Sequence, residues 1–204
     1  MTVTLTHGIL DWGRKDFRTV KFYNGDTGCS NGSDNSHSYD LHSYEYANHC
    51  TNYPIGRNAN SDGTWNEDIY HLSCLFAWYI YNNFGQHPSW NVEIVAHSMG
   101  GLIVHNAIYQ VQYRSQLGSG NAFPPTLGHI SDVVDFNSPH AGHNLNWFAN
   151  SICPQVLECA QMDSGSSFTR EMQSALARNS QAGGTDWTLL STIILLSRNN
   201  MVGC

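Results

Sequence analysis

Apolar and polar residues alternate in short blocks along the chain, and the blocks predict strands and helices in turn. Residues 3–8, 92–96 and 131–137 are rich in apolar or β-branched residues and are bounded by turn residues, which is typical of strands. Residues 64–85 and 99–113 carry apolar residues every three or four positions, as core-packed helices do. Strands that alternate with helices favour an α/β fold, with a mostly parallel sheet covered on both faces. The same criteria predict further strands at 19–26 and 186–192 and a further helix at 168–179.

Residue types at the helix ends predict where two helices start and stop. Thr64 with Glu67 three positions later forms a capping box, in which each side chain bonds a free backbone N–H of the first turn. Gly85 followed by Pro88 predicts the end of this helix, and Ser167 is predicted as the N-cap of the helix that follows it. The apolar face of the first helix is predicted to consist of Ile69, Leu72, Phe76, Tyr79 and Ile80.

Residues 27–63 show neither the alternation of a strand nor the spacing of three to four residues of a helix, and they are rich in Asn, Ser, Gly and Tyr. A structureless loop of this length is uncommon in a compact domain and is usually functional or disordered. We expect it to lie over a site, held by a disulfide between Cys29 and Cys50, which bracket its polar part.

Composition narrows the class of protein. The chain has 204 residues, which suits one domain spanning 1–204. With 9 Lys and Arg and a net charge of −7, it has no basic patch, and nucleic acid is not expected as a partner. No apolar run approaches the roughly 18–20 residues of a membrane span. Charged residues make up only 12%, so polar uncharged residues cover the surface, which favours a secreted protein whose signal peptide is not in this chain.

The remaining cysteines extend this prediction. Cys153 and Cys159 lie close in sequence and are predicted to form a small-loop disulfide. Cys74 falls within a helical pattern and is predicted as a buried free thiol, which leaves Cys204 over. No C-x-x-C pair is present, and a zinc ribbon is therefore disfavoured.

The stretch A-H-S-M-G-G, residues 96–101, joins a predicted strand directly to a predicted helix. A tight turn there exposes the Oγ of Ser98 at the carboxyl edge of the sheet, and the small Ala96 and Gly100 let strand and helix approach closely. The N–H of Met99 would point at an oxyanion formed on an attacked carbonyl. A serine that merely caps the helix is the alternative, and the strand–turn–helix context favours the nucleophile.

A second motif supports the first. T-H-G-I-L, residues 6–10, follows the first predicted strand, and its His-Gly turn would let the N–H of Ile9 serve as a second oxyanion donor. The His-Gly pair is common and weak alone. In this order along the chain, ahead of the serine motif, it favours an oxyanion hole.

These motifs resemble the α/β-hydrolases, in particular small bacterial lipases and secreted esterases with an A-H-S-M-G-G nucleophile elbow. V-V-D-F-N-S-P-H-A-G (133–142) resembles a strand end of that family, and G-G-T-D-W-T-L-L (183–190) resembles the strand before its acid loop. The resemblance covers most of the chain and implies a minimal single-domain α/β-hydrolase, with Ser98 as nucleophile and the N–H groups of Ile9 and Met99 as the oxyanion hole. It implies hydrolysis of a carboxylic ester through an acyl-serine intermediate, without cofactor or metal. The expected substrate is a small-molecule or lipid ester. The protein is expected to be a monomer that contacts a lipid interface without spanning the membrane.

The family's order is serine, then acid, then histidine, and the expected acid and histidine are missing. No Asp or Glu follows Asp186, and no His follows His143. Asp135, near the end of its strand, and His140, in the S-P-H-A-G turn, are the fallback acid and base. His97, next to the nucleophile, is predicted to be structural. A hydrolase-like binding protein that kept the elbow and lost its acid and base is the alternative function.

Two places in the chain are too short for the family's fold. Residues 186–200 run two strand patterns together without a turn residue, although parallel neighbours need a crossover of about a dozen residues. A segment is therefore predicted to be missing at 192–193. Too few residues follow the first strand for the usual first helix, which predicts a second missing segment within 8–14.

The polar loop leaves two further hypotheses. His37, Asp40 and His42 could bind a metal, but their loose spacing in a polar loop favours solvated side chains, and no metal site is predicted. The tyrosines of the loop and Trp65 would form either an apolar lip for an acyl chain or ordinary packing. The sequence does not decide between the two.

Overall fold

The computed structural model describes residues 2–6, 19–23, 37–40, 48–52, 68–87, 89, 91–119, 121–136, 138–142 and 157–179. Ile9, the predicted strand at 186–192 and the predicted missing segments at 8–14 and 192–193 lie outside these residues. Predictions about them stay predictions.

Five strands form one mixed sheet in the order β3-β2-β1-β4-β5. They are β1 (Thr2–Thr6), β2 (Thr19–Tyr23), β3 (His37–Asp40), β4 (Asn91–His97) and β5 (His129–Phe136). β4 runs parallel to both of its neighbours, β1 and β5, whereas β2 is antiparallel to β1 and to β3. The carboxyl ends of β1, β4 and β5 therefore meet at one edge of the sheet, where the candidate site residues lie.

Five α-helices complete the described part of the chain. They are α1 (Ile69–Ile80), α2 (Met99–Gln112), α3 (Arg114–Leu117), α4 (Leu157–Gln161) and α5 (Ser167–Asn179), and a π-helical turn at Tyr81–Gly85 extends α1. The strands predicted at 92–96 and 131–137 and the helix at 99–113 are confirmed within one or two residues. Among the described helices, none has both the length and the apolar character needed to cross a membrane.

Helix α1 begins later than its sequence predicts. Asp68 has an extended backbone (φ −69°, ψ 129°), and its side chain accepts a hydrogen bond from the N–H of Tyr70 at 2.8 Å. Gln161 of α4 reinforces this cap, because its Nε2 donates to Asp68 Oδ1 at 2.7 Å and its Oε1 accepts from the N–H of Ile69 at 2.8 Å. The start predicted at residue 64 is therefore wrong, since a tertiary contact with α4 satisfies the first N–H groups at residue 69.

The cap of α5 also differs by one residue from the prediction. Ser166 rather than Ser167 accepts the hydrogen bond from the N–H of Thr169, at 2.9 Å, and Ser167 is already the first helical residue. An N-cap side chain reaches the N–H three positions later, which fits Ser166 and not Ser167.

The core combines α1, α2, α5 and the central strand β4. Val92, Ile94 and Ala96 of β4 are each exposed by 1% or less. Burial of every second residue is the pattern expected of a strand. The predicted apolar face of α1 is confirmed, because each of its five residues is at most 2% exposed. Each large side chain buried in this way stabilises the fold by about 1.5–3 kcal/mol.

Cys50 and Cys74 form a disulfide, with an S–S distance of 2.08 Å and a Cα–Cα distance of 5.8 Å. This corrects two predictions, because Cys50 is not joined to Cys29 and Cys74 is not a free thiol. Spacing along the chain cannot identify partners, since α1 decides which way Cys74 faces. Cys159 is also disulfide-bonded, and its predicted partner Cys153 lies outside the described residues.

The loop predicted at 27–63 contains regular structure. Strand β3 lies within it and pairs antiparallel with β2 at the edge of the sheet. An edge strand is held by backbone hydrogen bonds on one side only, and a polar segment can therefore form one without an apolar face. The structure does not describe the side chains of His37, Asp40 and His42. The hypothesis that they bind a metal therefore stays open.

A candidate serine nucleophile and a buried histidine–aspartate cluster

Ser98 lies in a sharp turn between the last residue of β4 and the first residue of α2. Its backbone has φ 55° and ψ −131°, and it is the only non-glycine residue with positive φ in the described part of the chain. Such a conformation costs on the order of 1–3 kcal/mol and persists only where the surrounding structure enforces it. The surroundings of Ser98, and not its local preference, therefore hold its backbone in this conformation.

The side chain of Ser98 does not cap α2. Ser98 occupies the N-cap position, yet its Oγ makes no capping hydrogen bond, and only its backbone carbonyl accepts one, from the N–H of Gly101 at 3.2 Å. The alternative of a helix-capping serine is therefore wrong. Ser98 as a whole is half-buried.

Small residues around Ser98 make the sharp turn possible. Ala96 is 1% exposed and lies in register between Leu5 of β1 and Asp135 of β5. Gly101, in the first turn of α2, lies so close to the segment after β5 that an added Cβ would be 2.6 Å from Ser138 Cβ and 2.8 Å from Asp135 Oδ1. Glycine is required at residue 101 for α2 to approach β5.

The N–H groups of Met99 and Ile9 are the predicted donors of an oxyanion hole. Met99 is the first residue of α2, and N–H groups of the first helical turn have no intrahelical acceptor. Thr6, at the end of β1, pairs with His97 at the end of β4, and the segment after β1 therefore starts beside the Ser98 turn. Ile9 belongs to that segment but lies outside the described residues, so its role stays a prediction.

Asp135 brings two histidines together beneath the first turns of α2. Its Oδ2 accepts a hydrogen bond from Nε2 of His105 at 2.5 Å and another from Nε2 of His140 at 2.8 Å. The two imidazole rings meet at 75° with centroids 4.5 Å apart. The side chains are 3% exposed for His105, 5% for Asp135 and 14% for His140. The fallback acid and base are thus in contact, and His105 joins them.

Burial and hydrogen bonding set the protonation states of this cluster. Burial alone would raise the pKa of Asp135, but the hydrogen bonds and charges of His105 and His140 outweigh it and hold that pKa well below its usual range. Burial also lowers the pKa of His105, more than its contact with Asp135 raises it. At neutral pH the cluster therefore contains an ionised carboxylate and a neutral His105.

Several polar atoms of the cluster have no hydrogen-bond partner among the described residues. They are Asp135 Oδ1, Ser138 Oγ and His140 Nδ1, and all three are buried. A buried polar group without a partner costs about 1–3 kcal/mol. The cluster therefore has unused capacity to bind a proton donor, an acceptor or an ion.

The cluster does not have the orientation of a serine triad. In a triad the carboxylate holds Nδ1 of the histidine, and Nε2 takes the proton of the serine. Here Asp135 holds Nε2 of His140, and within the described residues no hydrogen bond joins Ser98 Oγ to a histidine. The assignment of Asp135 and His140 as acid and base stays a prediction. The side chain of His97 and all of His143 lie outside the description.

His105 is not among the residues predicted for the site from the sequence. It lies on α2, 30 residues from Asp135, and no motif spacing connects them. The available signal was a histidine inside the apolar run G-L-I-V-H-N-A-I, because a buried histidine requires a partner.

No protein-family model, curated protein or solved structure matches the chain. The likeness to α/β-hydrolases therefore remains a resemblance of motifs. The geometry of the Ser98 turn is the structural observation that bears on it.

Proposed function

We propose that this chain is a carboxylic ester hydrolase of the α/β-hydrolase type, with Ser98 as its nucleophile. The observation that carries the proposal is the strained positive φ of Ser98, combined with an Oγ that caps nothing. A nucleophile elbow uses this strain to expose its serine at the end of a central parallel strand. A serine with only a structural role would have no use for it.

In the proposed reaction, Ser98 Oγ bonds to the carbonyl carbon of the ester while its proton passes to a general base. The carbonyl oxygen becomes an oxyanion that accepts hydrogen bonds from the N–H groups of Met99 and Ile9. The carbon–oxygen bond to the alcohol then breaks, and the alcohol leaves with the proton. Water hydrolyses the acyl-serine by the same steps, which releases the acid and restores Ser98.

One disulfide and the composition of the chain support an extracellular ester as substrate. The Cys50–Cys74 disulfide is consistent with an oxidising compartment. The low fraction of charged residues, 12%, fits a secreted enzyme that acts on small-molecule or lipid esters.

The experiment is active-site labelling of the intact protein with a serine-directed fluorophosphonate, followed by peptide mass spectrometry. We expect one label per chain, on Ser98, and none in Ser98→Ala. Ser174→Ala is the matched control, because Ser174 is an exposed serine of α5 whose Oγ donates a hydrogen bond to the carbonyl of Arg170. An unlabelled Ser98 in folded protein would contradict the proposal that this chain is a serine hydrolase.

The same assay decides the role of His140. Because Asp135 holds its Nε2, we expect His140→Ala to slow labelling less than Ser98→Ala does. Equal losses in two folded variants would instead make His140 the base.

A hydrolase-like binding protein is the second candidate, favoured by the absence of a hydrogen bond from Ser98 Oγ to a histidine within the described residues. Turnover of a p-nitrophenyl ester separates the two functions. Rates far above background that vanish in Ser98→Ala contradict a protein that only binds.

A further inference from the structure

We infer that His105, Asp135 and His140 form a binding site for one divalent transition metal ion, with Zn²⁺ as the best match. Among the described residues, these three make up the one group of potential metal ligands whose donor atoms all lie within 4.8 Å of one another. The donors come from three separate elements, α2, β5 and the turn after β5. The inference does not depend on the proposed ester hydrolysis.

The distances between the donor atoms of the cluster are close to those between the ligands of a metal ion. Ligands at about 2.0–2.2 Å from a tetrahedral Zn²⁺ lie roughly 3.3 Å from one another. The two Nε2–Oδ2 distances are 2.5 and 2.8 Å. A metal that replaces the shared hydrogen bonds therefore requires each imidazole nitrogen to move about 1 Å or less away from Oδ2. The donor atoms of the two histidines already lie within 4.8 Å of each other.

The chemistry of the donors selects the metal. Two imidazole nitrogens and one carboxylate oxygen suit Zn²⁺, Co²⁺ or another first-row divalent ion, with a fourth position open to water. Mg²⁺ and Ca²⁺ prefer ligand sets made of oxygen and are not expected here. Asp135 Oδ1 and Ser138 Oγ are buried without partners among the described residues, and they would accept from or donate to a metal-bound water.

A bound metal would connect α2 to β5 directly behind the Ser98 turn. The ligand His105 lies on the same helix that starts at Met99, and Gly101 of that helix lies so close to Asp135 that an added Cβ would be 2.8 Å from its Oδ1. Metal binding would therefore stabilise the packing of α2 against the sheet. It would also occupy His140 Nε2, so a metal ligand and a triad base are mutually exclusive roles for that atom.

The test uses the full chain without a polyhistidine tag, stripped with EDTA and then dialysed. Titration with Co²⁺ should give the visible absorption of a four- or five-coordinate ion, saturating at one equivalent per chain. Zn²⁺ should displace the Co²⁺ and abolish the absorption. At about 100 times its dissociation constant, Zn²⁺ should raise Tm by roughly 5–10 °C in a domain of this size.

Variants assign the ion to the cluster. His140→Ala and His105→Ala should each lower Zn²⁺ affinity by at least tenfold and abolish the Co²⁺ absorption. His129→Ala, an exposed histidine at the start of β5, should leave both unchanged. Circular dichroism of each metal-free variant checks that it is folded, and His140→Ala, at the least buried of the three ligands, is the variant least expected to disturb the fold.

Two outcomes would overturn the inference. One is folded wild-type protein that binds neither ion at stoichiometric concentration. The other is binding of equal strength in wild type and in folded His140→Ala, which would place the ion on other side chains.

Discussion

The Ser98 turn and the Asp135 cluster both lie at the first turns of helix α2, but different parts of the chain hold them in place. Ser98 is fixed by its backbone, since it has φ 55° and an Oγ without a capping bond. Asp135, His105 and His140 are fixed by their side chains, through two hydrogen bonds to one carboxylate oxygen. The first region contains a strained backbone, and the second contains buried polar side chains. Substitutions should therefore reduce activity in the first region and stability in the second.

The largest effect is expected for Ser98→Ala. Loss of the nucleophile should lower kcat for a p-nitrophenyl ester by about 10⁴–10⁶-fold, the range seen when a serine of such a site is removed. Stability should change by less than about 1 kcal/mol, because Oγ makes no capping hydrogen bond to α2 that the substitution would remove. Steady-state kinetics and urea unfolding give the two numbers, with Ser174→Ala as control. A large loss of stability with little loss of turnover would reverse the comparison.

How much of the molecule the sequence can predict differs between the same two regions. Strand β4, Ser98 and helix α2 follow one another without a break, so periodicity and small residues located the turn. The Asp135 cluster depends on how α2 packs across β5, and no local pattern specifies that packing. The Cys50–Cys74 disulfide was missed for the same reason, and the start of α1 at Ile69 depends on a contact with Gln161, far along the chain.

Asp135→Asn should have the second largest effect, and on stability. The change keeps the size of the side chain but removes the charge that accepts hydrogen bonds from His105 and His140. Hydrogen bonds to charged groups contribute about 1.5–3 kcal/mol each, and part of each remains with a neutral acceptor, so we expect a loss of about 2–3 kcal/mol in urea unfolding with EDTA present. Asp163→Asn, at a more exposed aspartate, is the control and should cost under about 1 kcal/mol.

The pH dependence of this difference follows from the pKa of Asp135. Its pKa is lowered in the folded protein, so its contribution to stability is present above the ordinary aspartate pKa of about 3.9 and is lost as the pH falls further. The stability gap between wild type and Asp135→Asn should shrink as the pH falls below about 4, where Asp135 becomes protonated in the unfolded chain. A gap that does not shrink there would contradict an ionised Asp135.

Gly101→Ala should have a smaller effect and shows how the two regions are coupled. A Cβ at residue 101 would overlap the side chain of Ser138, at 2.0 Å from its Oγ and 2.6 Å from its Cβ. Overpacking costs about 1–3 kcal/mol and better helix propensity returns up to about 1, so a net loss of about 1–2 kcal/mol is expected. Adding Ser138→Gly should restore part of it, because the two closest atoms are removed and only Asp135 Oδ1, at 2.8 Å, still meets the added Cβ. Additive losses in the double variant would show that the close approach of α2 to β5 is not what requires glycine.

The smallest effect concerns the strain at Ser98 itself, and its sign is the informative part. Glycine adopts the observed φ of 55° without a clash, whereas alanine keeps the Cβ that makes this conformation costly. Relief of strain exceeds the greater flexibility of glycine in the unfolded chain, so Ser98→Gly should be more stable than Ser98→Ala by about 1 kcal/mol. At Ser174, inside α5, the order should be the opposite, because alanine is the better helix former there by about 1 kcal/mol. Urea unfolding of the four variants measures both differences under one condition. If alanine is the more stable residue at both positions, residue 98 is not strained in solution, and the proposal of a nucleophile elbow loses the observation that supports it.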